Sequence, residues 1–180
     1  MRLAAGFAFA ALLGACASTS EPNLPSTVQT SEVGPPAELS IMGNVGAEIG
    51  KATFTAAPQG VLIRILVPTG GLSPGWHGTH FHTVGDCSDT AKFEHAGGHI
   101  QTSNTYHGLL YVHGPENGDL PNISVAGDGS ASAELYTGLI TLSQLQDGDG
   151  SALVIHAQPD DHVSQPIGNA GDRVGCAIIK

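Results

Sequence analysis

Glycine and proline punctuate this chain so often that few residues are left for long regular elements. With 25 Gly and 11 Pro in 180 residues, and no extended stretch rich in Leu, Glu and Lys, long helices are disfavoured and short strands joined by many turns are favoured. The segments between the punctuation are β-branched and short: Glu38–Val45, Lys51–Ala56, Val61–Val67, Trp76–His82, Asn122–Ala126, Ser130–Tyr136, Ala152–His156 and Gly175–Ile179. Leu62, Ile63, Ile65, Leu66 and Val67 form a run typical of a sandwich core strand. The expectation is an all-β domain over residues 37–180, an eight-stranded Greek-key β-sandwich or flattened barrel. A domain of this size buries about two-thirds of its unfolded surface and needs no partner to form a core.

Two segments interrupt the strand rhythm. Residues 83–120 and 157–174 are too long for simple connections, and loops of such length are usually functional or disordered. The first carries His95, His99, His107 and His113; the second carries Asp160, Asp161 and Arg173. Both read as functional loops.

The N-terminus reads as an address. Met1-Arg2 is a short positive region, and Leu3 to Leu13 is apolar but too short to span a bilayer. It ends in Leu13-Gly14-Ala15-Cys16, which resembles a bacterial lipobox, with Cys16 as the lipidated residue; Ala15-Cys16-Ala17 also fits an ordinary cleavage site. Residues 1–16 are thus expected to be a lipoprotein signal and lipobox. Residues 17–36, rich in Ser, Thr and Pro, are expected to be a flexible tether. The domain would lie outside the cytoplasm, in the periplasm, attached to the membrane through lipid on Cys16. There disulfides persist. With Cys16 set aside, Cys87 and Cys176 remain and pair by default; neither has the spacing of a metal-binding cysteine. Closing a loop of about 90 residues contributes about 4–5 kcal/mol in the chain-entropy model.

Charge narrows the partners. Six Lys and Arg stand against 16 Asp and Glu, a formal charge of −10. Nucleic-acid binding through a basic patch is excluded on that balance. An anionic substrate would be repelled at long range, so its attraction must come from a metal ion or a local cation.

Nine His remain to be explained. His80 and His82 are two apart on an expected strand, so both face one side and can reach one ion. His77 has the opposite parity and reads as a structural His bonded to backbone. His156 ends an apolar strand beside a long loop, a rigid support for a ligand. His99 and His107 lie in the first long loop with Asp119 nearby. Imidazole-rich sites suit copper and zinc. His95, His113 and His162 read as surface residues, Trp76 as packing, and Asp161 and Asp172 as solvated.

These residues sit in recognisable runs. Gly75-Trp-His-Gly-Thr-His-Phe-His82, followed by Gly85-Asp-Cys87, resembles the signature of copper/zinc superoxide dismutases, the bacterial periplasmic ones especially. So do Ala96-Gly-Gly-His99, His107-Gly-Leu-Leu110, Gly118-Asp-Leu-Pro-Asn122, Val154-Ile-His-Ala157 and Gly171-Asp-Arg-Val-Gly-Cys-Ala-Ile-Ile-Lys180, in order from about residue 38 to 180. The resemblance implies that His80, His82, His99 and His156 bind copper, with His99 bridging to a zinc held also by His107 and Asp119. It implies that Asp160 bonds one ligand of each metal, that Arg173 guides and holds superoxide, and that Cys87 and Cys176 are disulfide-bonded. His99 and Arg173 would be the catalytic pair. One position departs from the pattern. The family has His three residues before the zinc Asp; this chain has Glu116, with His113 where the bacterial pattern has Glu. A carboxylate is an acceptable zinc ligand, so Glu116 is expected to complete the zinc site; a weak zinc site, or His113 reaching in, is the alternative. A non-catalytic copper-buffering protein on the same fold would keep the copper ligands but has no need of Arg173, and a structural or adhesive lipoprotein has no need of the His spacing. The oligomeric state, monomer or homodimer, is left open.

Overall fold

The computed structural model describes residues 36–102 and 104–180. The expected leader with Cys16, and the tether up to residue 35, lie outside the described residues. Nine strands run through the remainder: β1 Ala37–Gly43, β2 Glu48–Ala57, β3 Gly60–Val67, β4 Gly75–His77, β5 Thr79–His82, β6 Ile123–Val125, β7 Ala131–Thr137, β8 Ser151–His156 and β9 Arg173–Ile179. Seven form one antiparallel sheet in the order β5-β8-β9-β1-β2-β3-β7, and β4 pairs with β6. The non-sequential neighbours are the crossovers of the expected Greek-key fold. No helix among the described residues is long and apolar enough to cross a membrane.

The count departs from expectation because Trp76–His82 is two strands. At Gly78 the chain leaves β6 and joins β8: the Gly78 N–H donates to the Gln158 carbonyl and its own carbonyl accepts from His156 N–H, both at 2.8 Å. A Cβ at Gly78 would stand 3.0 Å from that of Ala170 and 3.3 Å from that of Asp160. A second departure is the short helix α1, Leu142–Leu145, closed by a capping box between Thr141 and Gln144. The Thr-x-x-Gln spacing in the sequence carried that signal.

Strand parity sorts side chains between two interiors. In β3, Ile63, Ile65 and Val67 are buried while Arg64 and Leu66 are exposed, the alternation of a sheet with one wet face. Ile63 and Ile65 join Ile41, Phe54, Phe81, Leu153 and Ile155 in the main core. Every residue of β8 is buried. Leu153 and Ile155 face the main core, while Ala152 and Val154 join Cys87, Phe93, Ala96 and Cys176 in a second cluster. The second face is dry because the 83–98 loop lies across it. The Cys87–Cys176 disulfide holds that loop to β9, with Cα atoms 5.9 Å apart across 89 residues of sequence.

Candidate metal centre

The site is built on the face of β5 and β8 that the long loops cover. His80 pairs with Val154 and His82 with Ala152, so the even-numbered residues of both strands, His156 included, share one side. The edge of β5 is extended by two loop segments. Phe81 N–H donates to the Gly118 carbonyl and Ile100 N–H to the Phe81 carbonyl. These bonds form isolated bridges that set His99 beside His82 and Asp119 beside His80. Residues 83–120 therefore contribute ligand candidates by strand-like pairing, although their sequence has no strand pattern.

Two convergent groups result. One ligand atom from each of His80, His82, His99 and His156 lies within 4.8 Å of the others; the same holds for His80, His99, His107 and Asp119. The rings of His80 and His99 stack at 4.1 Å between centroids, and those of His82 and His99 meet edge-on at 5.0 Å. Glu116 stands beside the second group, its Oε2 3.2 Å from His99 Nδ1 and 3.9 Å from His107 Nδ1.

Hydrogen bonding decides which ring nitrogens are open. His80 Nε2 donates to Asp160 Oδ2 at 2.8 Å, His107 Nε2 to Asp160 Oδ1 at 3.1 Å, His82 Nδ1 to the Gly97 carbonyl at 2.9 Å, and His156 Nδ1 to the Gly171 carbonyl at 3.1 Å. A neutral imidazole has one donor and one acceptor nitrogen, so the other nitrogen of His80, His82 and His156 keeps its lone pair, while His107 Nδ1 stands 2.8 Å from Asp119 Oδ1. Those nitrogens, with His99 Nε2 and Asp119 Oδ1, are buried without a hydrogen-bond partner. Buried polar atoms without partners are costly, and these belong to the residues of the two groups. Borderline imidazole nitrogens on one side, with a carboxylate added on the other, fit copper and zinc. His99 differs from the other four: its ring bonds neither Asp160 nor a backbone carbonyl, its Nδ1 lies 3.2 Å from Glu116 Oε2, and it belongs to both groups.

Burial and charge pull the imidazoles apart. Burial lowers the His80 pKa to about 3 and the His156 pKa to about 4, and drives that of His82 well below the usual imidazole range. All three are neutral at pH 7, the state a metal requires. His107 is also penalised by burial, but the carboxylates of Asp119 and Asp160 outweigh it and raise its pKa to about 10. Burial would raise the Asp160 pKa; the His107 and His80 rings and the His162 N–H hold it low instead. For Asp119, too, burial is outweighed, by His107 and the backbone N–H groups of Gly108 and Glu116.

Arg173 opens β9 beside this centre. Its Nη1 donates to the Phe93 carbonyl at 2.6 Å and its Nη2 to the Gly97 carbonyl at 2.7 Å. Gly97 thus accepts from both Arg173 and His82. A cleft of ≈ 560 Å³ along Arg173 is also lined by Lys92, Glu94, Gly171 and Asp172.

The other expectations divide. His77 is buried and bonded to the carbonyls of His156 and Ser73, the structural role its parity implied. His95 is exposed, on Ser88, and His113 is exposed among Tyr106 and Tyr111, so His113 does not reach the site. Trp76, expected to pack, is 58% exposed, since β4 has one open face. His162, expected at the surface, lies instead against Asp160, its side chain 18% exposed and its Nδ1 3.4 Å from Asp160 Oδ2. No spacing rule links His162 to the ligands; a left-handed turn, φ 60°, brings it there.

Comparison with known proteins agrees with this geometry. Residues 48–179 match the family described as copper/zinc superoxide dismutase. The chain is 49% identical to a copper/zinc superoxide dismutase of Caulobacter vibrioides, over 75% of this chain and 80% of that one. It is 37% identical to one from Aquifex aeolicus, over 78% and 85%. A crystal structure of a point mutant of a SOD-like protein from Bacillus subtilis superposes with TM-score 0.75 at 31% identity, covering 81% of this chain and 99% of that one. The Cu/Zn superoxide dismutase of Brucella abortus superposes with TM-score 0.68 at 26% identity, over 81% and 100%. A sandwich with two buried imidazole groups sharing His99, within a chain matched over most of its length, belongs to the copper/zinc superoxide dismutase family.

Proposed function

We propose that this protein dismutates superoxide to O2 and hydrogen peroxide at a copper ion held by His80, His82, His99 and His156, beside a zinc ion held by His99, His107, Asp119 and Glu116. The observation that carries the reading is the set of buried, partnerless nitrogens converging on one point. When bound, copper supplies the one-electron cycle between Cu(II) and Cu(I), and zinc, which has no redox chemistry, supplies a fixed charge. Asp160 orients one ring of each group through its two oxygens. The carbonyls of Gly97 and Gly171 fix the tautomers of His82 and His156. Arg173 is permanently charged, and its two carbonyl acceptors hold it rigid. It offers the anion a local counter-charge within a chain whose net charge of −10 repels it. His99 Nε2 faces the copper group without a protein acceptor, so it can hold a proton for the peroxide product. Arg173 also favours catalysis over simple copper storage.

The same reading puts the domain outside the cytoplasm. Residues 1–16 serve as a lipoprotein signal, residues 17–36 as a tether, and residues 37–180 as the catalytic domain. Lipid on Cys16 holds it to the membrane; labelling with a palmitate analogue, lost on Cys16→Ser, tests this.

The deciding measurement is copper and zinc stoichiometry alongside a superoxide assay on the loaded protein. One copper and one zinc per chain with dismutase activity is expected, and Glu116→Ala should lower zinc occupancy. Copper without stoichiometric zinc removes Glu116 from the ligands, and loaded protein without activity removes the enzyme reading.

A further inference from the structure

Asp160 joins the two metal groups, and its surroundings contain a third imidazole. Besides His80 Nε2 and His107 Nε2, the Asp160 carboxylate accepts the His162 backbone N–H on Oδ1 at 2.6 Å. The His162 ring turns back over the same carboxylate, with Nδ1 buried, partnerless and 3.4 Å from Oδ2.

The tautomer of that ring is set from behind. The Asn122 side-chain oxygen accepts the Asp160 backbone N–H at 2.9 Å, so its nitrogen is the atom on the other side. That nitrogen donates to the Asp160 carbonyl at 2.8 Å and faces His162 Nε2 at 3.2 Å. A donor facing Nε2 requires Nε2 to be an acceptor, which leaves the proton of the neutral ring on Nδ1. The protonated Nδ1 thereby stands on the Asp160 side of the ring, 3.4 Å from Oδ2, the oxygen that holds His80. A non-Gly residue at φ 60° is uncommon, and here it turns the ring over the carboxylate.

We propose that His162 is a positioning residue: through its backbone N–H on Oδ1 and its ring set against Oδ2 it fixes the Asp160 carboxylate so that one oxygen serves His80 and the other His107. This rests on the ligand assignment above. The ring lies between the Asn122 amide and the Asp160 carboxylate.

The test compares His162→Gly with His162→Asn in copper- and zinc-loaded protein. Gly removes the ring and fits the left-handed backbone without strain. Asn tolerates the same conformation and offers an amide N–H close to where Nδ1–H stands. Zinc release to a chelator should accelerate at least about tenfold in His162→Gly, and its copper EPR spectrum should shift, because His80 loses its fixed partner. His162→Asn should stay near wild type in both. Thermal melts of both variants establish that they fold. Either readout unchanged in His162→Gly overturns the proposal, as does His162→Asn behaving like His162→Gly. If wild-type protein does not take up one copper and one zinc, the ligand assignment fails and this role fails with it.

Discussion

Gly168 illustrates how little room surrounds Asp160 and His107. A Cβ there would stand 1.7 Å from Asp160 Oδ1 and 2.8 Å from His107 Nε2, and its φ is 59°. Gly168→Ala must therefore displace Asp160, and the expected outcome is zinc affinity reduced about 10–100-fold, measured by competition with a chelator. Arg173 acts at the same scale through charge. Arg173→Ala should lower kcat/KM by about tenfold or more and weaken its dependence on ionic strength. Unchanged rate and salt slope in stopped-flow assays would remove Arg173 from the reaction.

At the scale of elements, the centre depends on loops pinned to strands. Every residue of β8 is buried because the 83–98 loop covers its second face, and the disulfide holds that loop to β9. The same loop supplies Gly97, which orients His82, and Phe93, which holds Arg173. Replacing Cys87 and Cys176 together by Ser should cost about 2–5 kcal/mol of stability, read from denaturant unfolding. It should lower activity as well, since both acceptors become mobile. The pairing of β5 with residues 98–100 and 117–119 was hidden in the sequence. Bridges of one or two residues leave no alternating pattern, so residues 83–120 read only as a long loop. The break at Gly78 was hidden for a related reason: Trp76–His82 alternates well enough for one strand, and only the competing partners β6 and β8 divide it.

For the molecule as a whole, the metal centre sets how stability depends on pH once metal is removed. His80, His82 and His156 have folded pKa values depressed by burial, so below about pH 6.5 the unfolded chain binds protons that the folded one refuses. Each such imidazole removes about 1.4 kcal/mol per pH unit as pH falls from 6.5 toward its folded value. Asp119 and Asp160, held low, add a further loss below about pH 4. His107 has the opposite sign: its stabilisation is complete below about 6.5 and is lost as pH rises to about 10. Metal-free protein should thus be most stable near neutral pH and lose stability faster on the acid side. Calorimetric melting of chelator-treated protein between pH 4 and 10 checks this; a melting temperature flat from pH 7 to 5 would contradict it.

The residues by themselves determined the all-β class, the two long loops and the types of side chain that could hold a metal. Turn chemistry, strand parity and side-chain donors are local properties, written within a few positions of each other. Only the tertiary structure decided which nitrogen of each ring stays open, that Glu116 rather than His113 stands at the second group, and that His162 lies on Asp160. Those outcomes depend on hydrogen-bond acceptors such as Gly97, Gly171 and Asn122, remote in sequence from most of what they orient, and on packing that no single segment encodes.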